Sequence, residues 1–266
     1  MLLKPSPTTL ISMKSFFLSN TIIGTVLAFV SPAAGSGKTS ATVKFAEILT
    51  ERGEKVLLID ADPKAGLSDY VAASEFQSKT KGLYDLITGR GSIWDVICNS
   101  RLQIPYVPAG IYLDKIEKDI SQIELYKLTL ADVINKMRET YSVILIDSPS
   151  HFGTLSSLVM MLSDYYLIPV KTKTESCDVI TEVEKIHGLL SQKFCCGKLC
   201  GVFHSMNVME DKFSRFTIRQ IESAHYGKTL DSVIPFSAYS DKRHGSYEKL
   251  VDEISLKIPE FKNRER

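Results

Sequence analysis

Residues 25 to 39 read Thr-Val-Leu-Ala-Phe-Val-Ser-Pro-Ala-Ala-Gly-Ser-Gly-Lys-Thr. An apolar run suited to a buried strand, Thr25 to Ser31, leads into Gly35-Ser-Gly-Lys-Thr39, and a helical pattern starts at once. That order builds a phosphate cradle. Gly35 and Gly37 let the backbone turn tightly, so that successive N–H groups and the helix N-terminus point at phosphate oxygens. Lys38 then reaches the β- and γ-phosphates, and the Thr39 hydroxyl offers itself to Mg²⁺. The full pattern G-x-x-x-x-G-K-[ST] is not met, because Pro32 stands at the first glycine. Taken alone, such a turn also fits a plain helix cap.

Two further segments separate these readings. Lys55-Val-Leu-Leu-Ile-Asp-Ala-Asp-Pro-Lys-Ala-Gly-Leu-Ser68 is an apolar strand ending in two carboxylates. Alternate strand residues share a face, so Asp60 and Asp62 converge if the strand stays extended to its end. Tyr141-Ser-Val-Ile-Leu-Ile-Asp-Ser-Pro149 delivers Asp147 at a strand's C-terminal end, where open α/β sheets bind ligands. Loop and strand ends together supply a phosphate cradle, a metal carboxylate and a spare carboxylate.

With these residues the chain resembles the ParA/MinD family of P-loop ATPases, and most of all its Soj-type partition proteins. The likeness also takes in Ser163-Asp-Tyr-Tyr-Leu-Ile-Pro-Val170, Gly201-Val-Phe-His-Ser-Met-Asn207 and Val233-Ile-Pro235, in the family's order, over about residues 25 to 256. The resemblance implies ATP and Mg²⁺ as cofactors. It implies that Gly35, Ser36, Gly37, Lys38, Thr39 and Ser40 hold the phosphates, with Asn207 and Pro235 also on the nucleotide. Thr39, Asp60 and Asp147 would serve Mg²⁺, and Asp62 would orient the attacking water, with Lys38 as its catalytic companion.

One departure bears on the chemistry. The family's P-loop carries an early lysine that crosses a dimer interface to the partner's nucleotide; here that position is Ala33, followed by Ala34. A cation at a transferring phosphate stabilises charge that develops in the transition state. Lys64, next to Asp-Pro, is a candidate substitute, against a plain reading as a solvated loop lysine.

The remaining chain alternates helix and strand, the pattern of an α/β fold whose mostly parallel twisted sheet carries helices on both faces. Helices are predicted over 38–52, 83–87, 93–97, 125–140, 155–162, 176–191, 211–224 and 246–257, and strands over 104–107, 165–170, 199–205 and 230–234. Val43, Ala46 and Leu49 face the sheet, as Leu250, Ile254 and Ile258 pack on the domain. With no repeat or linker, residues 25–266 are expected to form a single P-loop ATPase domain after an N-terminal extension, 1–24.

Composition agrees with an ordinary globular protein: 44% apolar, 24% charged and a net charge of +1, which forbids a strong global field but allows local basic patches. Five cysteines, an odd number, fit a reducing compartment, hence the cytoplasm, and Cys195, Cys196 and Cys200 lack paired zinc-ligand spacing. Residues 14–34 have the outline of a signal peptide, but Ser19, Asn20 and Thr21 interrupt the apolar run and cleavage would remove the start of the cradle. Met13 offers an alternative start.

Lys212, Arg215 and Arg219 recur at one-face helical spacing, and Lys242 and Arg243 follow after Pro235. Clustered cations neutralising phosphates bind DNA without sequence selectivity. The resemblance implies an ATP-dependent homodimer on nonspecific DNA with a ParB-like adaptor, moving plasmid or chromosomal DNA. Phe236 replaces the family's arginine after Ile-Pro. The C-terminal helix lacks the exposed apolar wedge that membrane attachment needs. Three alternatives stand beside this reading. One is a non-hydrolysing nucleotide-binding regulator of the same fold, the second a MinD-like membrane ATPase, and the third an ATPase like the capsule tyrosine kinases.

Overall fold

The structure, a computed structural model, describes residues 23–72, 81–173, 175–207, 212–236 and 240–262, with the side chains of 206–207, 212–214, 240–243 and 262 outside that description. Three five-residue runs, β1 (Thr25–Phe29), β2 (Val56–Asp60) and β5 (Val143–Asp147), are buried at every position. Strands covered on both faces read as continuous apolar runs, and these do. With β3 (Cys98–Asn99), β4 (Pro105–Val107), β6 (Tyr165–Lys171), β7 (Lys198–Asn207) and β8 (Thr229–Pro235) they form one eight-stranded sheet in the order β3-β4-β2-β5-β1-β6-β7-β8. Every pairing is parallel except β3 with β4. This is the mostly parallel α/β sheet that the sequence predicts.

Strand alternation sends successive side chains to two helical layers. Leu27 and Phe29 join one core with Phe45, Ala46 and Leu49 of α1 (Lys38–Glu51), and with Leu250 and Ile254 of α10 (Ser240–Lys257). Val26 and Ala28 join the other, built on α6 (Ile123–Arg138), α7 (Thr154–Leu162) and α8 (Ser176–Ser191). Phe29 meets Phe45 edge-on with ring centroids 5.0 Å apart. Gly201 in β7 leaves room for Leu230: a Cβ there would lie 2.6 Å from that side chain.

Several predicted bounds shift. The helix predicted over 125–140 is Ile123–Arg138, and the last long helix starts at Ser240 rather than Ser246, because its first turns are polar and carry no apolar period. The helix predicted from Asp211 is α9 (Lys212–Ala224). Two short helices are absent from the sequence prediction: α2 (Gly66–Val71) and α5 (Leu113–Glu117). The expected short helices near 83 and 93 are α3 (Leu83–Ile87) and α4 (Ile93–Val96), and α11 (Pro259–Lys262) ends the described chain. Among the described residues no helix is long and apolar enough to cross a membrane.

Candidate nucleotide site

The cradle sits where the tips of β1, β2 and β5 meet. Phe29 and Asp60 both register with Asp147 on the central strand, so the loop after β1 and the two strand-end carboxylates come to one edge of the sheet. Gly35 and Gly37 hold φ of +65° and +89°, left-handed values that fit glycine, and Gly37 is the N-cap of α1. No side chain caps that helix and no acid occupies its first turn, so its N-terminal amides are left for an anion. Ser36 is buried with its hydroxyl unpartnered, and Ser40 is half-buried.

Within the cradle, Thr39 Oγ1 donates to Asp147 Oδ2 at 2.6 Å. The second carboxylate oxygen, Asp147 Oδ1, is buried with no hydrogen-bond partner among the described residues. A hydroxyl and an orphaned carboxylate oxygen side by side make a hard-oxygen donor set that fits Mg²⁺. Burial, reinforced by the charge of Asp60, pushes Asp147 up to about 8 against the opposing pull of Thr39 and Lys38. Burial likewise pushes Asp60 up to about 6. Asp147 therefore holds a proton more tightly than an exposed carboxyl, and a divalent cation bound beside it would favour the ionised form.

Asp60 is also an organiser of the adjoining loop. It accepts from the Ser68 amide at 2.8 Å, the Ser68 hydroxyl at 2.7 Å and the Asp62 amide at 3.1 Å, anchoring α2 against the strand end. The strand stops at Asp60, so Asp62 reaches the site through a turn rather than by strand alternation. Asp62 Oδ1 accepts from the Lys64 amide at 2.9 Å, and its charge is felt by both Lys38 and Asp147.

Lys38 is buried and donates to Ser31 O at 2.9 Å, Ser150 Oγ at 3.0 Å and Ala33 O at 3.4 Å. Its burial lowers its proton affinity; Asp147 and Asp62 pull the other way, while Lys64 and Lys171 add to the lowering. Lys64 itself is exposed. Three site residues escaped sequence reading: Ser150, Lys171 and Ser205. Lys171 donates to Ala34 O at 3.0 Å from the end of β6, and the Ser205 hydroxyl donates to Ser36 O and, at 3.2 Å, to Val170 O. Lys171 ends β6 and Ser205 lies near the end of β7, places that carry no motif of their own.

The other predicted residues lie farther out. Asn207 and Pro235 are register partners at the ends of β7 and β8, and the Asn207 side chain is outside the described residues. Arg215 and Arg219 are exposed on α9, opposite buried Thr217 and Ile221; the side chains of Lys212, Lys242 and Arg243 are outside the described residues. All five cysteines are free, and no group of three metal-ligating side chains occurs among the described residues.

A strand-loop-helix phosphate cradle beside two strand-end carboxylates, on a mostly parallel sheet, defines a P-loop nucleotide-binding protein. A family model described as an AAA domain matches residues 24–194, and the chain belongs to that family, within the ParA/MinD group of P-loop ATPases. It is 28% identical over 218 residues to the chromosome partitioning protein ParA of Caulobacter vibrioides, covering 79% of this chain and 80% of the relative. It is 25% identical over 255 residues to the chromosome-partitioning ATPase Soj of Treponema pallidum, covering 87% and 97%. The fold matches cobyrinic acid a,c-diamide synthase of Mycobacterium smegmatis, solved with ADP and magnesium, at a TM-score of 0.79, with 20% identity over 86% of this chain and 93% of the other. It also matches an ATP complex of a Cyanothece McdA variant, at 0.77 with 19% identity over 88% and 97%.

Proposed function

We propose that this chain binds Mg-ATP and works as a partition ATPase: a nucleotide-dependent homodimer that holds nonspecific DNA and answers to a ParB-like adaptor in the cytoplasm. The carrying observation is the Thr39–Asp147 pair with its orphaned carboxylate oxygen, set beside Lys38 and an uncapped helix N-terminus. The names of the ParA and Soj relatives support the partition assignment, and the exposure of Arg215 and Arg219 supports a DNA-facing surface.

In this reading residues 25–266 act as one unit. Gly35, Ser36 and Gly37 present backbone N–H groups to phosphate, Lys38 moves its ammonium from the loop carbonyls to the β- and γ-phosphates, and Ser40 lies by the α-phosphate. Thr39 and Asp147 would hold Mg²⁺, with Asp60 behind them, and the ion would neutralise phosphate charge. Asp62, on its own turn, orients the attacking water.

A second reading rests on Ala33: a regulator of the same fold that binds nucleotide without hydrolysing it. Turnover with and without DNA separates the two. Hydrolysis above a Lys38→Ala control supports the ATPase, and none under any condition supports the regulator. Binding itself is read from thermal stabilisation, about 2.7 kcal/mol at a hundredfold excess of ATP over Kd. A Lys38→Ala protein stabilised as much as wild type would remove the nucleotide assignment.

A further inference from the structure

Lys171 stands at the C-terminal end of β6, the strand hydrogen-bonded to β1 on the side away from β5. Its Nζ crosses to the phosphate loop and rests on Ala34 O at 3.0 Å. It also lies close over Gly35: a Cβ built there would be 3.1 Å from Nζ, so the loop leaves space for this ammonium. Lys38 holds the carbonyls of Ser31 and Ala33, and Lys171 the next one along. Two ammonium groups thus hold successive carbonyls at the same end of the loop.

The surroundings fix this arrangement. The Ser205 hydroxyl bridges Val170 O and Ser36 O, tying the base of Lys171 to the loop. The buried Ser176, at the start of the sixteen-residue helix α8, donates to the carbonyl of Lys171 itself. Among the described residues no carboxylate pairs with Lys171, whereas Lys44, Lys118, Lys136 and Lys228 each have one. A lysine with no carboxylate partner among the described residues, bonded to the same loop as a second lysine and beside an uncapped helix N-terminus, lacks a counter-charge that a polyphosphate would supply.

We propose that Lys171 is a phosphate-binding residue of this site, reaching the terminal phosphate of a nucleoside triphosphate from within the same chain. It supplies a cation at the mouth of a loop whose own residues 33 and 34 are both alanine. The inference rests on the nucleotide reading above and deepens it. Lys171 leaves the Ala34 carbonyl for phosphate oxygen, a stronger acceptor because it is charged. Lys171 therefore discriminates triphosphate from diphosphate, a task a simple brace for the loop would not perform.

The test is the affinity of the full-length protein for fluorescent ATP and ADP analogues, each with Mg²⁺, in wild type and in Lys171→Ala, Lys171→Gln and Lys171→Arg. Losing a charged hydrogen bond to the terminal phosphate should weaken ATP about tenfold in the Ala and Gln variants, with ADP changed less than about threefold. The Arg variant should keep most of the preference. Equal weakening of ATP and ADP would make Lys171 a loop brace and overturn the proposal, as would unchanged affinity for both. Wild type that binds neither nucleotide would overturn the nucleotide reading and this inference with it.

Discussion

Asp60 and Asp147 are register partners on neighbouring parallel strands, and both carboxylates are buried. Two acids so placed cannot both ionise cheaply at a buried sheet edge: burial raises the proton affinity of each, and the charge of Asp60 adds to the rise at Asp147. A divalent cation resolves that conflict, and so does a proton.

The pH dependence of Mg²⁺ binding follows. Both folded values, about 6 and about 8, lie above the ordinary 3.8, so folding favours the protonated acids. These two groups therefore cost the metal-free protein stability as pH rises from about 4 through 8, and a cation that needs ionised Asp147 recovers it. Stabilisation by Mg²⁺ with nucleotide should grow between about pH 6 and 8.5, with about one proton released per ion at pH 7 by calorimetry in two buffers. Both effects should vanish in Asp147→Asn; a pH-independent affinity would remove Asp147 from the metal site.

Asp62 and Thr39 separate chemistry from binding. Asp62→Ala should bind ATP within about threefold of wild type while losing turnover by roughly 10²- to 10⁴-fold, the usual range for a positioned proton-handling group. Thr39→Ala should lose the Mg²⁺-dependent part of nucleotide affinity. Equal loss of ATP affinity in Asp62→Ala and Lys38→Ala would show that Asp62 holds nucleotide rather than water.

The basic helix face predicts a salt signature. Replacing Lys212, Arg215 and Arg219 with Glu should weaken ATP-dependent binding to any duplex and leave nucleotide affinity intact. The slope of log K against log salt should flatten by roughly 0.9 for each DNA phosphate that is no longer neutralised. An unaltered slope in a fluorescence anisotropy titration would return these residues to a solvated surface.

His204 is a liability of the core rather than of the site. It is fully buried on β7 with both ring nitrogens unpartnered among the described residues, and burial pushes its proton affinity down to about 4 from 6.5. The fold keeps it neutral, whereas the unfolded chain takes up a proton below 6.5. Its contribution is thus present above that pH and is lost as pH falls toward 4, opposite in sign to the acids. His204→Leu should raise stability by about 1–3 kcal/mol at pH 7 and remove this part of the acid loss. A denaturant midpoint lower than wild type at pH 7 would count against it.

Much of the site was legible because its parts are local. Gly35, Gly37, Lys38 and Thr39 lie within a few residues of one another, and Asp60 and Asp147 each end an apolar run that only a buried strand accommodates. Lys171, Ser205 and Ser150 were illegible for the opposite reason. The hydrogen bond from Lys171 joins residues 137 apart and the one from Ser205 joins residues 169 apart, so tertiary folding alone brings each pair together. Short helices such as Gly66–Val71 gave no period to count; α2 is held by the Asp60–Ser68 bonds, a tertiary cause.

The two-layer alternation of the central strands has a consequence for how errors in folding would be felt. Ile144 and Ile146 face one helical layer while Val143 and Leu145 face the other, and Asp147 completes the run at the cradle. A one-residue slip of β5 would exchange the layers and carry Ile146 to the edge in place of the acid. Structural integrity and ligand competence are then a single quantity: a molecule with misaligned strands has no cradle, and nucleotide retention on a column sorts correctly aligned chains from the rest.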